Sequence, residues 1–526
     1  MTQAWKNLRQ TLSDHSYWLN RLAALLWPKK HLHTDRFATA PEVKNLVHQQ
    51  SCGLVLGVDR FGRLLTVEAT KERPHLGHLA VFGPTGAGKT TRTEEQIRRW
   101  EGPIIVNDPK FQLSNSTAAD RKKGGKVYFF SPSEGTGNTY DPFEGIESEG
   151  KIFTLAMHLL YVPNEKEPAF TERATKMLTQ LILTAKRARK MGVTDLRPLP
   201  YVAWLLRLGG LNDVAKVVNA VSPAFAQKLL NAPYHPEKDY EQNGYRISSW
   251  DSLDARLYPL LTEEVVRCFN GSDITMKDVL FSKEPVTIYL RWHESDLLAL
   301  SRLVKFVWEA MINELILAQD LAQNPSESQE LLLAIEEAGR TGIPNLPDHV
   351  STLRSRKISV SADFQDRSQG YALYGKDRAI NMFNNFRYQI YFRQDDLETA
   401  QFLETRCGFT SGFAHSKTEH EHSVSTGESE QKISLITAQY IMYDMPDDEI
   451  ICFWGKRPFV AKRMPRRNNP IEGHKPAEVS TVHLPAIVSS FSEPARAEAA
   501  SPWRTDPALL RFRHPRYPAS NISKQA

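Results

Sequence analysis

The sequence predicts an α/β fold: a mostly parallel sheet whose strands are interrupted by an all-helical block. Three observations predict it. Short apolar runs bounded by Gly and Pro recur along the chain, as buried parallel strands require. One of them runs into a glycine-rich loop and then a helix. Between about residues 151 and 280 the apolar spacing changes to three and four, the period of packed helices.

Leu54 to Glu68 reads as two short alternating strands around the turn Asp59–Arg60–Phe61–Gly62. The stretch 78–100 reads as strand, glycine-rich loop and helix, and the runs 102–110 and 125–132 read as further strands. Helical spacing then covers 151–161, 170–190, 199–208, 212–220, 223–232 and 248–267, with Lys186, Arg187, Arg189 and Lys190 suited to a helix C-terminus. Strands return at 285–292, 331–335, 357–362, 388–392 and 449–454, with a long helix expected over 296–321. Such alternation points to a doubly wound sheet. Residues 411–432 are polar and read as a flexible loop, and about 468–526 as a disordered tail. The expected organisation is therefore an N-terminal helical segment (1–36), a first part of a nucleotide-binding domain (37–150), an all-helical domain (151–280), its second part (281–467) and the tail.

Composition narrows the classes. The 526 residues carry a net charge of +5, which is compatible with a nucleic-acid partner without requiring one. The four cysteines, Cys52, Cys268, Cys407 and Cys452, form no C-x-x-C pair, which argues against a disulfide framework or a cysteine zinc site. The apolar stretch 17–28 is broken by Asn20 and Arg21 and is about half the ~20 residues a membrane span needs. No span is expected, and a reducing cytoplasm is the natural compartment.

The chemistry begins at Gly83-Pro84-Thr85-Gly86-Ala87-Gly88-Lys89-Thr90, a complete G-x-x-x-x-G-K-[ST] motif between strand and helix, with Thr91 following it. Its backbone N–H groups and the helix N-terminus suit a phosphate, Lys89 the β/γ-phosphates, and the Thr90 hydroxyl Mg²⁺. ATP and Mg²⁺ are the implied cofactors. Such a loop needs acidic partners at a neighbouring strand tip. LLLAIEE at 331–337 supplies them, with Glu336 in the magnesium position and Glu337 in the base position. Gln365, at the end of another strand, can sense the γ-phosphate. Arg356, in LRSRK (353–357), is either a solvated basic turn or a finger acting on a neighbouring subunit's phosphate. The basic runs 121–126, 186–190 and 462–467 are either solvated faces or contacts to DNA phosphates. His415, His420 and His422 read as unliganded loop residues.

Taken in order, RFATAPEV (36–43), LVLGVDRFGRLL (54–65), the P-loop, VNDPK (106–110), YDPF (140–143), SDITMKDVL (272–280), PVTIYL (285–290), 331–359, ALYGKD (372–377), DLETAQFL (396–403) and DDEIICFWGKRPFVAK (447–462) resemble the VirD4/TraG coupling proteins, within the FtsK/HerA-like motors. The resemblance covers about residues 37–465. It implies a RecA-like nucleotide-binding domain with an all-helical domain, a homo-hexamer that moves DNA with ATP, and delivery of a DNA–relaxase substrate to type IV secretion channel subunits. It departs from the family at Glu336, where Asp is usual, at Asp141 for Asn, and in lacking two membrane-spanning helices. A separate membrane anchor protein would then hold the chain at the inner face of the cell membrane. A nucleotide-gated adaptor with little turnover, and a DNA pump unrelated to secretion, are the alternative readings.

Overall fold

A computed structural model describes residues 35–47, 53–70, 75–161, 168–293, 295–420, 423–454 and 457–466. The expected helical segment 17–28 and the tail 468–526 lie outside them.

Fourteen strands are present among these residues: β1 (Leu54–Val58), β2 (Leu64–Val67), β3 (Leu79–Phe82), β4 (Ile104–Asp108), β5 (Lys126–Ser131), β6 (Thr136–Gly137), β7 (Val286–Arg291), β8 (Leu331–Ile335), β9 (Ile358–Phe364), β10 (Tyr388–Tyr391), β11 (Phe409–His420), β12 (Ser423–Ser434), β13 (Glu449–Trp454) and β14 (Arg457–Lys462). Twelve form one sheet in the order β2-β1-β14-β13-β10-β3-β9-β8-β4-β7-β5-β6. Its centre, from β10 to β5, is parallel throughout. The flanks are antiparallel: β13, β14, β1 and β2 on one side and β6 on the other. The predicted α/β, mostly parallel class is therefore observed.

The central strands are buried on both faces because helices cover both. β3, β4, β8 and β9 expose no residue, which explains the apolar character of β3 and β8 and means that the polar residues of β4 and β9 are buried too. One face packs with the helices between Glu149 and Phe281 and with the long helix Ser301–Asp320 in a single continuous core. The helices of that block start where local chemistry allows. Pro198 and Pro223 sit in first turns, where a missing N–H costs nothing. Asn243, Thr262 and Thr275 cap others, each accepting a backbone N–H with its side chain.

Two expectations need correction. Residues 411–432 are not a loop but most of β11 and β12, an antiparallel pair in unbroken register from Phe409–Ser434 to His420–Ser423. Backbone pairing needs no apolar side chains, so a composition poor in them concealed the ribbon. His415 and His420 lie on its strands and His422 outside the described residues. The long helix begins at Ser301 rather than 296, after a turn closed by Leu300 N–H on Asp296 O.

Candidate nucleotide site

At the C-terminal end of β3 the chain leaves the sheet as the loop Gly83–Gly88 and re-enters order as the helix Lys89–Arg99. A Cβ at Gly83 would lie 2.8 Å from Phe392 Cβ, so the neighbouring chain after β10 can approach only glycine. Gly88 caps the helix with φ 112°, a left-handed conformation that costs glycine nothing. The Lys89 side chain folds back over this loop, its Nζ donating to Gly83 O at 2.5 Å and Pro84 O at 3.0 Å. Burial holds the Lys89 ammonium below its usual pKa, against the pull of Asp363, Glu337 and Glu336.

Behind the loop, Arg92 and Thr93 lock the helix to β9. Arg92 Nη2 donates to Ser361 Oγ at 2.9 Å and Asp363 Oδ1 at 3.3 Å, and Thr93 Oγ1 donates to Asp363 Oδ2 at 2.8 Å. Arg92, Thr93, Ser361 and Asp363 are all buried, and of this group's side-chain atoms Arg92 Nε is left without a hydrogen-bond partner among the described residues.

β8 delivers the acidic pair from two strands away, with β9 between it and β3. Glu336 is 4% exposed. Its Oε1 accepts the Thr90 hydroxyl at 2.5 Å, while its Oε2 is buried without a hydrogen-bond donor among the described residues. Burial, then the charges of Asp363, Asp108 and Glu337, pushes the Glu336 carboxyl up to about 7, against the Thr90 hydrogen bond. An unmatched carboxylate oxygen beside a threonine hydroxyl is a donor set that fits a hard divalent cation. Thr90 and Glu336 are the residues that would hold Mg²⁺. The extra methylene of Glu336 lets it reach Thr90 directly. Glu337 follows with φ 53°, a strained backbone for a residue with a Cβ. Its carbonyl is taken by the N–H groups of Arg340 (2.8 Å) and Thr341 (2.9 Å).

The end of β4 supports this turn. Asn107 Nδ2 donates to Glu336 O and Thr341 Oγ1, both at 2.9 Å, and Asn107 Oδ1 accepts Trp308 Nε1 at 3.3 Å from the long helix. Lys110 Nζ lies 3.3 Å from Glu337 Oε1.

Lys110, Glu336 and Glu337 line one cavity of about 1150 Å³, together with Thr85, Gly86, Gly88, Lys89, Thr90 and Thr91. Its far wall was not foreseen. The turn Asp59–Gly62, Asp448 and Lys462–Arg466 enclose it, and Arg463 Nη1 donates to Ala87 O at 3.0 Å. The run 462–467, read as either a solvated face or a DNA contact, thus contributes its described residues 462–466 to the cavity because β14 pairs back onto β1 and β13. Only that pairing reveals it; the sequence signal was a bare charge run. In the other two runs one residue each is engaged inward, while Lys122, Lys123, Lys126, Arg187, Arg189 and Lys190 stay exposed. Arg121 is buried against Gly102 O (2.7 Å) and Thr287 Oγ1 (2.8 Å), and Lys186 donates to Phe143 O (2.8 Å).

Gln365 sits one residue past β9, next to the loop, where Gly83 N–H donates to Phe364 O at 3.2 Å. It is not among the residues lining the cavity. Arg356 is at the opposite end of the same strand, bonded through Nε and Nη2 to Asp320 at 2.8 and 3.0 Å. Seven strand residues at ~3.3 Å each separate it from this chain's own loop.

A family model for type IV secretory system conjugative DNA transfer matches residues 38–465. Among solved structures, the bacterial conjugative coupling protein TrwBΔN70 in an unbound form is similar with TM-score 0.60 at 16% identity, over 84% of this chain and 96% of that one. TrwB in complex with the non-hydrolysable ATP analogue ADPNP gives TM-score 0.59 at 17% identity, over 84% and 97%. TrwB in complex with ADP and Mg²⁺ gives 0.57 at 17%, over 84% and 96%. At these identities the likeness is one of fold. No curated protein matches the chain.

Proposed function

The chain belongs to the type IV secretory system conjugative DNA transfer family, and from that premise we propose that it is an ATPase motor driving DNA transfer. The observation that carries the reading is the cavity that gathers Lys89, Thr90, Glu336 and Glu337, with one buried Glu336 oxygen left unmatched. That TrwB, alike in fold, has been solved with ADPNP and with ADP and Mg²⁺ supports it.

In this reading the loop N–H groups and the N-terminus of the helix Lys89–Arg99 cradle the phosphates. Lys89 leaves the carbonyls of Gly83 and Pro84 and turns to the β/γ-phosphates. Thr90 and Glu336 would hold Mg²⁺, which would neutralise charge developing on the phosphates. Glu337 orients a water for in-line attack and takes its proton. Gln365, outside the cavity lining but next to the loop, would have to turn inward to sense the terminal phosphate. Arg356 is too far from its own loop to serve in cis. It acts across a subunit boundary after leaving Asp320, which requires a ring, read as a homo-hexamer. DNA passes the ring by sequence-neutral backbone contacts. A relaxase-bearing DNA is the cargo and the type IV secretion channel its destination, with a separate anchor protein holding the chain at the inner face of the membrane. Among the described residues, no helix is long and apolar enough to cross a membrane.

The test is ATP hydrolysis by the full chain with and without single- and double-stranded DNA, beside Lys89→Ala. DNA stimulation that Lys89→Ala abolishes is expected. Unchanged turnover in Lys89→Ala would remove the site assignment. Tight ATP binding with no response to DNA would favour a nucleotide-gated adaptor.

A further inference from the structure

Lys89 and Lys110 face the same cavity, and each rests on a protein acceptor: Lys89 on loop carbonyls, Lys110 on the candidate base Glu337. The two differ in what their release would do. Freeing Lys89 uncovers only carbonyls. Freeing Lys110 uncovers the carboxylate that has to orient water.

The backbone around Lys110 is fixed. Asp108 accepts the N–H groups of Leu113 at 3.1 Å and Ser114 at 2.7 Å, starting the helix Gln112–Gly124 immediately after the turn. Phe111 takes φ 58°, and its ring lies under the buried Arg291 guanidinium at 4.1 Å and beside His293 at 4.7 Å. The turn therefore holds Lys110 Cα in place and leaves its four-carbon side chain as the moving part. Glu337 is similarly placed, its carbonyl taken by two N–H groups and its backbone in the left-handed region. The Lys110–Glu337 contact is over a third exposed on the lysine side, so as an ion pair it adds at most ~1 kcal/mol to stability. Little opposes its exchange for a better partner. A terminal phosphate, with more negative charge and three oxygens, is a better partner for an ammonium.

We propose that Lys110 is a positioning residue that reads the terminal phosphate: it pairs with Glu337, exchanges that partner for the terminal phosphate of a triphosphate, and so frees Glu337 to orient water. A diphosphate does not reach Lys110 and leaves Glu337 held. The inference rests on the nucleotide-site reading above.

The experiment measures binding of ADP and of ADPNP, each with Mg²⁺, by calorimetry on the full chain. Lys110→Met is expected to keep ADP affinity and to weaken ADPNP about tenfold, the loss of one charge-assisted contact. Lys110→Arg restores most of it. Glu337→Gln is expected to tighten ADPNP and not ADP, because Lys110 no longer leaves a charged partner; in Lys110→Met/Glu337→Gln that gain disappears. Unchanged ADP binding in Lys110→Met doubles as evidence of folding. Equal weakening of both nucleotides, or of neither, overturns the proposal. If Lys89→Ala loses both nucleotides while Lys110→Met keeps the wild-type ratio between them, only the role of Lys110 falls. If Lys89→Ala binds like wild type, the nucleotide-site reading falls with it.

Discussion

Glu336, at the tip of β8, and Glu314, on the long helix Ser301–Asp320, are both pushed up to about 7, and burial is the largest cause in each. Their surroundings differ. Glu314 sits where the helical block meets the long helix, and both its oxygens are matched: Oε1 by Met276 N–H at 3.1 Å, Oε2 by the Tyr140 hydroxyl at 3.0 Å. Glu336 has one matched oxygen and one bare. A perturbed carboxyl is thus an ambiguous sign of function, because structural glutamates acquire it too. Completing the hydrogen-bond accounting separates them. A buried acceptor left bare costs about 1–3 kcal/mol, and that cost makes sense where a cation completes the set.

The sharpest way to break this comparison is to neutralise each glutamate in turn. Glu336→Gln removes the charge facing the cation and is expected to lower kcat for ATP on the order of a hundredfold to a thousandfold. Glu314→Gln preserves shape and one acceptor, and kcat is expected to stay within about threefold. Steady-state hydrolysis of the two variants decides it. Similar losses in both would mean that the helical block enters the chemistry and that the contrast drawn here is wrong.

A smaller effect concerns pH. Each carboxyl is raised from an ordinary 4.5 to about 7, so the folded protein keeps a proton that the unfolded chain has released. Stability therefore falls as pH rises from about 4.5 to about 7, by up to ~3 kcal/mol for each group, and the cost is fully present above that window. Without nucleotide, Glu336→Gln is expected to melt above wild type at pH 8 and level with it at pH 5. Mg²⁺ with ADP raises Tm for wild type at pH 8 far more than for the variant, because a bound cation favours the charged carboxylate. Glu314→Gln shows the same pH effect but keeps the full response to Mg²⁺ and ADP. Thermal melts in matched buffers read all three. Parallel pH profiles for wild type and Glu336→Gln would show that this carboxyl is not raised.

The sequence disclosed the parts of the site that are local in the chain. The loop 83–90 and the pair Glu336–Glu337 follow apolar runs, and a parallel strand buried on both faces leaves that signature whatever packs on it. What stayed hidden depends on contacts far apart in the chain. Arg463 reaches Ala87 only because β14 folds onto β1 and β13. Asp363 lies within β9, between Ala362 and Phe364, and nothing in its neighbours announces that Arg92 and Thr93 meet it inside the protein. Lys110 was visible in VNDPK, but not its contact with Glu337, which needs β4 and β8 side by side. The β11–β12 ribbon failed for another reason: the sequence of 411–432 carries no apolar alternation to read.

The smallest prediction tests the structural half of the comparison at Tyr140. Tyr140→Phe keeps the buried ring against Phe130 and removes only the hydroxyl from Glu314 Oε2. The loss of one hydrogen bond to a group that titrates near 7 is expected to cost about 1–2 kcal/mol, read as a lower denaturant midpoint. Its pH dependence carries the sign. The Tyr140 bond favours the charged carboxylate, so removing it raises the Glu314 pKa further. The variant should therefore lie close to wild type at pH 5, where Glu314 is protonated in both, and fall progressively below it as pH rises through 7. kcat measured at pH 7 should not move, since Tyr140 and Glu314 contribute nothing to the cavity that holds Lys89 and Glu336. A loss of hydrolysis without a loss of stability would instead place this buried pair on the path by which the helical block and the nucleotide site communicate.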